Sequence, residues 1–460
     1  MKFFLGMLAA LVISANLHAQ PVLPQLKVSS NGRGFQTADG KPFFWLGDTG
    51  WLLFVKLTRE ETLAYLDARQ QQGFNVIQVM VLHDLKHAVN KYGDSALLNG
   101  NISTQAITTG NDAADLLAYD FWDHADFVID EAAKRGLYMA LVPVWGTNVK
   151  NGGVTQSQAE QYAHFLAGRY KNRTNIIWLN GGDINGSDSI KVWNKIGSTL
   201  RREAPDQLIT FHPRGRTTSS RWFHREPWLD FNMFQSGHRN YAQDTSKGET
   251  HYGEDNWKYV QEDLAKQPLK PSLDGEPSYE GIPQGLHDTT QPYWLADDLR
   301  RYAYWSVLAG AAGFTYGHNA IMQFYQPGDA KSAYGAKKYW QEALNDTGAL
   351  QMRYLRELVV NNTGSDLRAD QTLVINSGPR YERLAAAHGE NYALVYTYTG
   401  KNIQVRMGKI AGKKVKASWY DPRTGKYTDA GTFTNTGTRV FDPPGNVMAG
   451  NDWILLLKTI

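Results

Sequence analysis

The chain contains no cysteine. That excludes disulfides, thiolate metal sites and a lipid-anchored cysteine. A long basic run is also missing, and 48 Lys+Arg against 45 Asp+Glu leave a net charge of only +3. Neither nucleic acid nor an anionic membrane surface is implied as a partner. Beyond the first twenty residues no segment is apolar enough to span a bilayer. There is no glycine-rich dinucleotide loop after the first predicted strand, no phosphate loop and no Gly-x-Ser-x-Gly elbow. His83 and His87 stand four apart, but no helical carboxylate motif accompanies them. No metal and no other cofactor is therefore expected.

What is present begins with an export pattern. Lys2 supplies a positive start, residues 3–13 are a short apolar core, and Ala19 suits the position before a cleavage site. Residues 1–19 are expected to be a signal peptide. Export without disulfides fits a bacterial periplasmic or extracellular protein. The 14 Trp and 24 Tyr are numerous. They read first as the core aromatics of a barrel or sandwich, and second as surface on which sugar rings could stack.

Apolar runs then alternate with helical periodicity. Strands are predicted over 43–48, 76–82, 137–144, 175–179, 208–211, 231–234, 271–273 and 313–316, after a small hairpin over 26–37. Helices are predicted over 58–73, 121–135, 156–170, 190–203, 256–266, 294–309 and 338–360, with Thr58 as an N-cap. Eight strand–helix units predict a closed (β/α)8 TIM barrel rather than an open doubly wound sheet. The polar stretch 83–121 is long for a connection, and reads either as a lid over the active face or as a surface excursion. From Gln371 the texture changes to short alternating strands and turns, a small all-β sandwich. The expected division is 1–19 signal, 20–365 barrel and 366–460 β domain.

Two carboxylates stand where strands give out beside glycine: Asp183 after Gly181-Gly182, and Glu276 after Gly275. They are 93 residues apart, three units at about 31 residues each, which places them on strands four and seven of the rim. Paired carboxylates are what glycoside hydrolysis needs, one protonated and one ionised. The plain alternatives are an N-cap role for Asp183 and an arginine partner for Glu276. Asp274 and Glu280 are rival acids, because alternation along an extended segment would put 274, 276 and 280 on one face. Further candidate sugar contacts at strand ends are Asp48, Trp51, His83, Trp145, His212, Gln235, His238, Tyr279 and His318. Asp48 suits paired hydrogen bonds to vicinal hydroxyls, and Trp145 suits ring stacking; each histidine could equally be a supporting residue behind the contact shell.

The segments Trp45-Leu-Gly-Asp-Thr-Gly-Trp51, Trp178-Leu-Asn-Gly-Gly-Asp183, Gly275-Glu-Pro-Ser-Tyr-Glu280 and Ala309-Gly-Ala-Ala-Gly-Phe-Thr-Tyr-Gly317 resemble the apiosidase-like glycoside hydrolases, family one hundred and forty. The tail resembles the collagen-binding-type β domain that follows such barrels. The resemblance covers nearly the whole chain after the export signal. It implies a retaining exo-glycosidase acting on pectic side chains, an apiosidase on rhamnogalacturonan II, with Asp183 as acid/base and Glu276 as nucleophile. The wider clan carries Asn-Glu at strand four where this chain has Gly182-Asp183. The expected partner is a plant cell-wall oligosaccharide or polysaccharide, and the expected state a monomer. Two other readings stay open: a barrel glycosidase on another glycan, and a catalytically inactive carbohydrate-binding or adhesion protein.

Overall fold

The computed structural model describes residues 23–115, 117–245 and 250–460; the signal-peptide prediction for 1–19 lies outside them. Among these residues eight strands form the staves of a barrel: Trp45–Thr49, Val76–Leu82, Tyr138–Val144, Ile176–Ile184, Ile209–Pro213, Asn232–Gln235, Ser272–Asp274 and Gly313–Tyr316. Strands one to five pair in parallel in sequence order, as do six to eight, and eight pairs with one. Between five and six there is no regular ladder. Asp230 N–H donates to the Ile209 carbonyl at 2.8 Å, and Thr210 Oγ1 donates to the Phe231 carbonyl at 2.5 Å, closing the gap.

The strands read as near-continuous apolar runs because both of their faces are covered. In strand three, Tyr138, Ala140 and Val142 fill the barrel interior, while Met139 and Leu141 pack outward under the helices. Strand four repeats this with Ile177 and Leu179 inside and Ile176 and Trp178 outside. The hairpin Leu26–Val28 and Phe35–Thr37 plugs the N-terminal end, where the Phe35 ring meets Trp45 and Phe231 at 6.0 and 5.0 Å. Thr58 caps the first long helix, Arg59–Gln71, in a reciprocal box with Glu61.

Two elements differ from the sequence reading. The helix predicted over 338–360 is two, Trp340–Ala343 and Thr347–Asn362. The break occurs at Asp346, whose carboxylate is engaged by His318 and Lys338. The long connection after His83 is the surface excursion, not the lid. It packs on the outside of the barrel, where Trp122 Nε1 donates to the Ala96 carbonyl and Arg59 lies 4.8 and 4.9 Å from the Tyr92 and Tyr119 rings.

The C-terminal region is all antiparallel. A six-stranded sheet runs in the order Arg368–Ala369, Leu384–His388, Tyr392–Thr397, Trp453–Thr459, Lys414–Tyr420 and Tyr427–Thr434. A two-stranded sheet, Ile403–Arg406 with Thr438–Phe441, covers one face. The period-two alternation decides which side chain serves which core. Leu394, Tyr396, Ile454 and Leu456 face the barrel helices, whereas Ala393, Val395, Leu455 and Leu457 face the domain's own core. Tyr304 stacks on Tyr396 at 4.9 Å and 11°, and Arg300 grips Asp452 through two buried bonds of 2.8 and 2.7 Å. Removing one partner of such a buried pair costs about 3–5 kcal/mol, so this contact ties the β domain to the barrel helices.

Candidate active site

At the C-terminal rim lies a cavity of about 580 Å³ whose wall includes both Asp183 and Glu276. That volume is in the range of a small-ligand site. Each carboxylate is delivered by a local departure from regular strand. Strand four slips register against strand five between Gly181 and Ile184, a bulge that re-aims the chain. Gly182 has φ +111, and a Cβ there would meet the Trp145 ring at 2.5 Å, so only glycine lets the strand pass beneath the indole. Asp183 follows at φ +46. Its N–H faces His212 Nδ1 at 3.4 Å, and its Oδ1 faces the Gly215 N–H at 3.4 Å.

Strand seven ends at Asp274. A Cβ on Gly275 would strike Met233 Sδ at 2.5 Å, so the chain leaves the strand through a position with no side chain. Glu276 then enters the cavity between two imidazoles. His238 Nε2 lies 3.1 Å from Oε1, in hydrogen-bond alignment. His212 Nε2 lies 3.1 Å from Oε2 but off the bonding axis, so that contact is chiefly electrostatic. Because His212 Nδ1 accepts from the Asp183 backbone, its proton sits on Nε2, toward Glu276.

The two groups are driven apart in acidity. Burial alone would raise the Glu276 carboxyl, but His212 and His238 outweigh it and hold it down at about 2. Burial, and then the charge of Glu276, push Asp183 above the ordinary aspartate value. The tip of Asp183 opens into the cavity while protein crowds its flanks, so the crowding, and not the open face, sets that direction. The arrangement supplies one ionised carboxylate and one carboxyl biased toward its protonated form.

The plain alternatives for both acids are not realised. The helix after strand four is Ile190–Glu203 with Ser189 at its N-cap position, not Asp183. The partners of Glu276 are histidines, not an arginine. The rival acids are also placed. Asp274 is fully buried outside the cavity, accepting from Ser236 Oγ at 2.9 Å and Asn256 Nδ2 at 3.1 Å. Glu280 accepts from Tyr316 Oη at 2.6 Å and from the Gly348 N–H at 3.0 Å. The three acids do not share a face because the strand stops at Asp274 and the alternation stops with it.

Of the candidate sugar contacts, Trp51, Trp145, Gln235, His238 and Tyr279 stand on the cavity wall. Trp51 and Trp145 lie 5.5 Å apart; Trp51 meets His212 edge-on at 5.4 Å and Trp145 meets it tilted at 5.8 Å. Gln235 is buried, and its Oε1 has no partner among the described residues. Three assignments are corrected. His212 is fully buried behind Glu276, so it supports that carboxylate and does not meet a sugar. Asp48 turns outward to the first helix, where Tyr65 Oη and Arg69 Nε each donate to Oδ2 at 2.6 Å. His318 accepts the Ala320 N–H at Nδ1 and donates from Nε2 to Asp346 at 2.8 Å, which makes it a helix cap. His83 is not part of this wall, and its ring Nδ1 has no partner among the described residues. The wall also carries Arg214, directly past the end of strand five, and Lys150, Arg216, Arg239, Leu286, Gln323 and Tyr334, which the strand-end rule does not reach; Arg216 is paired with Asp244. A second hollow of about 630 Å³ opens between the barrel helices and the loop around Asn446, away from both carboxyls.

An eight-stranded barrel with an ionised and a protonation-biased carboxylate on one rim cavity is a scaffold for cleaving glycosidic bonds. Comparison with known proteins bears this out. Residues 29–364 match the family described as "Apiosidase-like, catalytic domain", and residues 369–458 match "Putative collagen-binding domain of a collagenase". A solved structure described as a glycoside hydrolase is 44% identical, with 95% of this chain and 97% of that one covered and a TM-score of 0.90. A glycoside hydrolase family 5 structure from Bacteroides vulgatus is 42% identical, with 95% and 92% covered and a TM-score of 0.90. A family 39 glycoside hydrolase from Bacteroides cellulosilyticus, 11% identical over 90% of this chain and 80% of that one with a TM-score of 0.53, shares the fold alone. A search of curated proteins gives no match. The chain belongs to the apiosidase-like family, and it is a glycoside hydrolase.

Proposed function

We propose that the protein is an exported, retaining exo-glycosidase that removes terminal sugars from pectic side chains, with apiose on rhamnogalacturonan II as the sugar released. In this reading residues 1–19 are an export signal, 20–365 the catalytic barrel and 366–460 the β domain. Asp183 is the acid/base and Glu276 the nucleophile. The observation that carries it is the geometry of two carboxyls on one cavity wall, Glu276 set between His212 and His238 with Asp183 beside it, in a chain of the apiosidase-like family.

The chemistry runs in two displacements. Asp183 gives its proton to the glycosidic oxygen while the Glu276 carboxylate attacks the anomeric carbon. The bond to the leaving oxygen breaks, the alcohol departs, and an ester joins the sugar to Glu276. Asp183, now a carboxylate, takes a proton from a water whose oxygen attacks the same carbon. The ester breaks, Glu276 regains its charge and Asp183 its proton. A carboxylate held at about 2 is ionised throughout the neutral range, as a nucleophile must be.

The test is proton NMR of the reaction on rhamnogalacturonan II oligosaccharides. The first-formed monosaccharide should be apiose in the substrate's anomeric configuration. The opposite anomer would replace the double displacement with a single inverting step. Release of another sugar would keep the mechanism and change the substrate. Binding without release of any sugar would favour the adhesion reading.

A further inference from the structure

Part of the cavity wall is built against its own backbone preferences. Among the described residues nine non-glycine residues have positive φ, and four of them, Asp183, Arg216, Leu286 and Tyr334, stand on this one wall. Residues with a Cβ hold such conformations only where surrounding contacts over-determine them, and they gather at functional sites. The bulge in strand four accounts for Asp183. Tyr334, at φ 49 and ψ 31, belongs to no strand or long helix and is reached by no motif.

Its turn is clamped from beneath. Asn319 Nδ2 donates to the Tyr334 carbonyl at 2.9 Å and to the Gly281 carbonyl at 2.8 Å, tying the turn to the segment just past Glu276. The Gln323 amide accepts from the Ala333 N–H at 2.7 Å and donates to its carbonyl at 3.1 Å. From above, the Tyr334 ring lies 5.5 Å from His287, and Lys337 sits 3.6 Å over the Tyr293 ring. The loops that follow strands seven and eight therefore meet side chain to side chain at the cavity's edge. Burial, then the charges of Glu276 and Asp183, push the Tyr334 phenol above its ordinary value. The hydroxyl keeps its proton and is a donor on a residue of the same cavity wall as the two carboxyls.

We propose that Tyr334 is the specificity-determining residue of this site: its ring, fixed by the clamped left-handed turn and backed by His287, closes one end of the cavity, and its hydroxyl donates to a hydroxyl of the terminal sugar, so that only a chain end is admitted. This rests on the glycosidase reading of Asp183 and Glu276. The hydroxyl and the ring have separable consequences. Tyr334→Phe removes the donor and keeps the wall. Tyr334→Gly removes the wall and suits the backbone, since glycine adopts positive φ freely.

The experiment compares wild type, Tyr334→Phe and Tyr334→Gly on rhamnogalacturonan II oligosaccharides of graded length. The phenylalanine variant should raise KM roughly tenfold with kcat little changed, the signature of lost ground-state binding. The glycine variant should raise KM further, release products from inside longer chains, and keep the wild-type circular dichroism spectrum. Each substitution is repeated on Glu276→Gln, and oligosaccharide binding is measured by calorimetry, so the readout does not need turnover. A wild type that cleaves, beside variants with unchanged KM and products, overturns the assignment of Tyr334 alone. Loss of kcat without change in KM or binding overturns it as well. If wild type cleaves none of these chains and Glu276→Gln binds none, the pectic reading fails and this proposal fails with it.

Discussion

Strands four and seven deliver the same functional group to one cavity by opposite means. At strand four the sheet itself bulges, the carboxyl sits on a left-handed residue, and its tip opens into the cavity. At strand seven the chain leaves the strand through a glycine, and the carboxylate is clasped between two imidazoles. The clasped acid is held at about 2 and the open one is raised. Acidity here follows the partners rather than the depth: with burial opposing ionisation at both sites, only the one with two imidazole partners is depressed. His212 joins the two ends, since it accepts from the Asp183 backbone and faces Glu276.

The contrast breaks most completely at strand seven. Glu276→Gln keeps the shape and removes the attacking charge, and kcat should fall by about 10⁴-fold or more. The same substitution removes the second largest influence that raises Asp183. Carboxyl-carbon NMR should therefore find Asp183 titrating lower in the variant than in the wild type. An Asp183 that titrates unchanged would leave burial as the sole cause. Asp183→Asn should cost less, about 10²–10⁴-fold on a natural substrate. With an aryl glycoside whose leaving group needs no proton, the first displacement should be largely restored. An equal loss on both substrates would deny Asp183 the acid role.

His212→Ala sharpens the comparison. The wild-type acid limb of kcat/KM belongs to Glu276 and the alkaline limb to Asp183, because the active form has the first ionised and the second protonated. Removing His212 takes away one of the two groups that lower Glu276, so the acid limb should move upward from about 2. Turnover near neutrality should fall roughly tenfold as the Asp183 backbone loses its acceptor. A contact that merely fills space would lower stability and leave the limb where it is.

Much of this architecture was legible beforehand, and the reasons are physical. Strands buried on both faces must be apolar throughout, so 76–82 and 137–144 stand out against any amphipathic helix. Thr58 with Glu61 announces a helix start because two orphan backbone donors need acceptors there. Asp183 and Glu276 are visible because glycine beside an acid at a strand end leaves the carboxyl uncovered. Asp48 and His318 share that position and still turn away from the cavity, Asp48 to Arg69 and His318 to Asp346. Those partners lie 21 and 28 residues along the chain, and no local pattern encodes them. The break in the predicted 338–360 helix has the same origin, since Asp346 is engaged from a distant loop. Tyr334 was invisible because its role comes from a turn whose clamps, Asn319 and Gln323, signal nothing by type or spacing.

The smallest effect on rate concerns a carboxyl two residues from the nucleophile. Asp274 is buried with Ser236 and Asn256 and is pushed up by burial to about 7, while Glu276 is held at about 2. The two should tilt stability in opposite directions. Glu276 has a folded-state value below its unfolded one, so its contribution is present above the unfolded value and is lost as pH falls toward 2. Asp274 has a folded-state value above its unfolded one, near 3.9. Its contribution is complete below about pH 4 and is lost as pH rises to about 7. At ~1.4 kcal/mol per unit this is an upper bound of about 4 kcal/mol. Asp274→Asn keeps an acceptor for Ser236 and Asn256 without the titration. Urea unfolding between pH 4 and 7 should show a shallower decline in the variant, though not a flat one, because Asp263, raised to about 6 by burial, titrates in the same window. Below pH 4 the two curves should run parallel, and kcat should be little changed, since Asp274 does not reach the cavity. A decline as steep as the wild type's would mean that Asp274 is ionised in the folded protein. Two negative charges would then sit two residues apart at the end of strand seven, and the clasp of His212 and His238 would have to answer both.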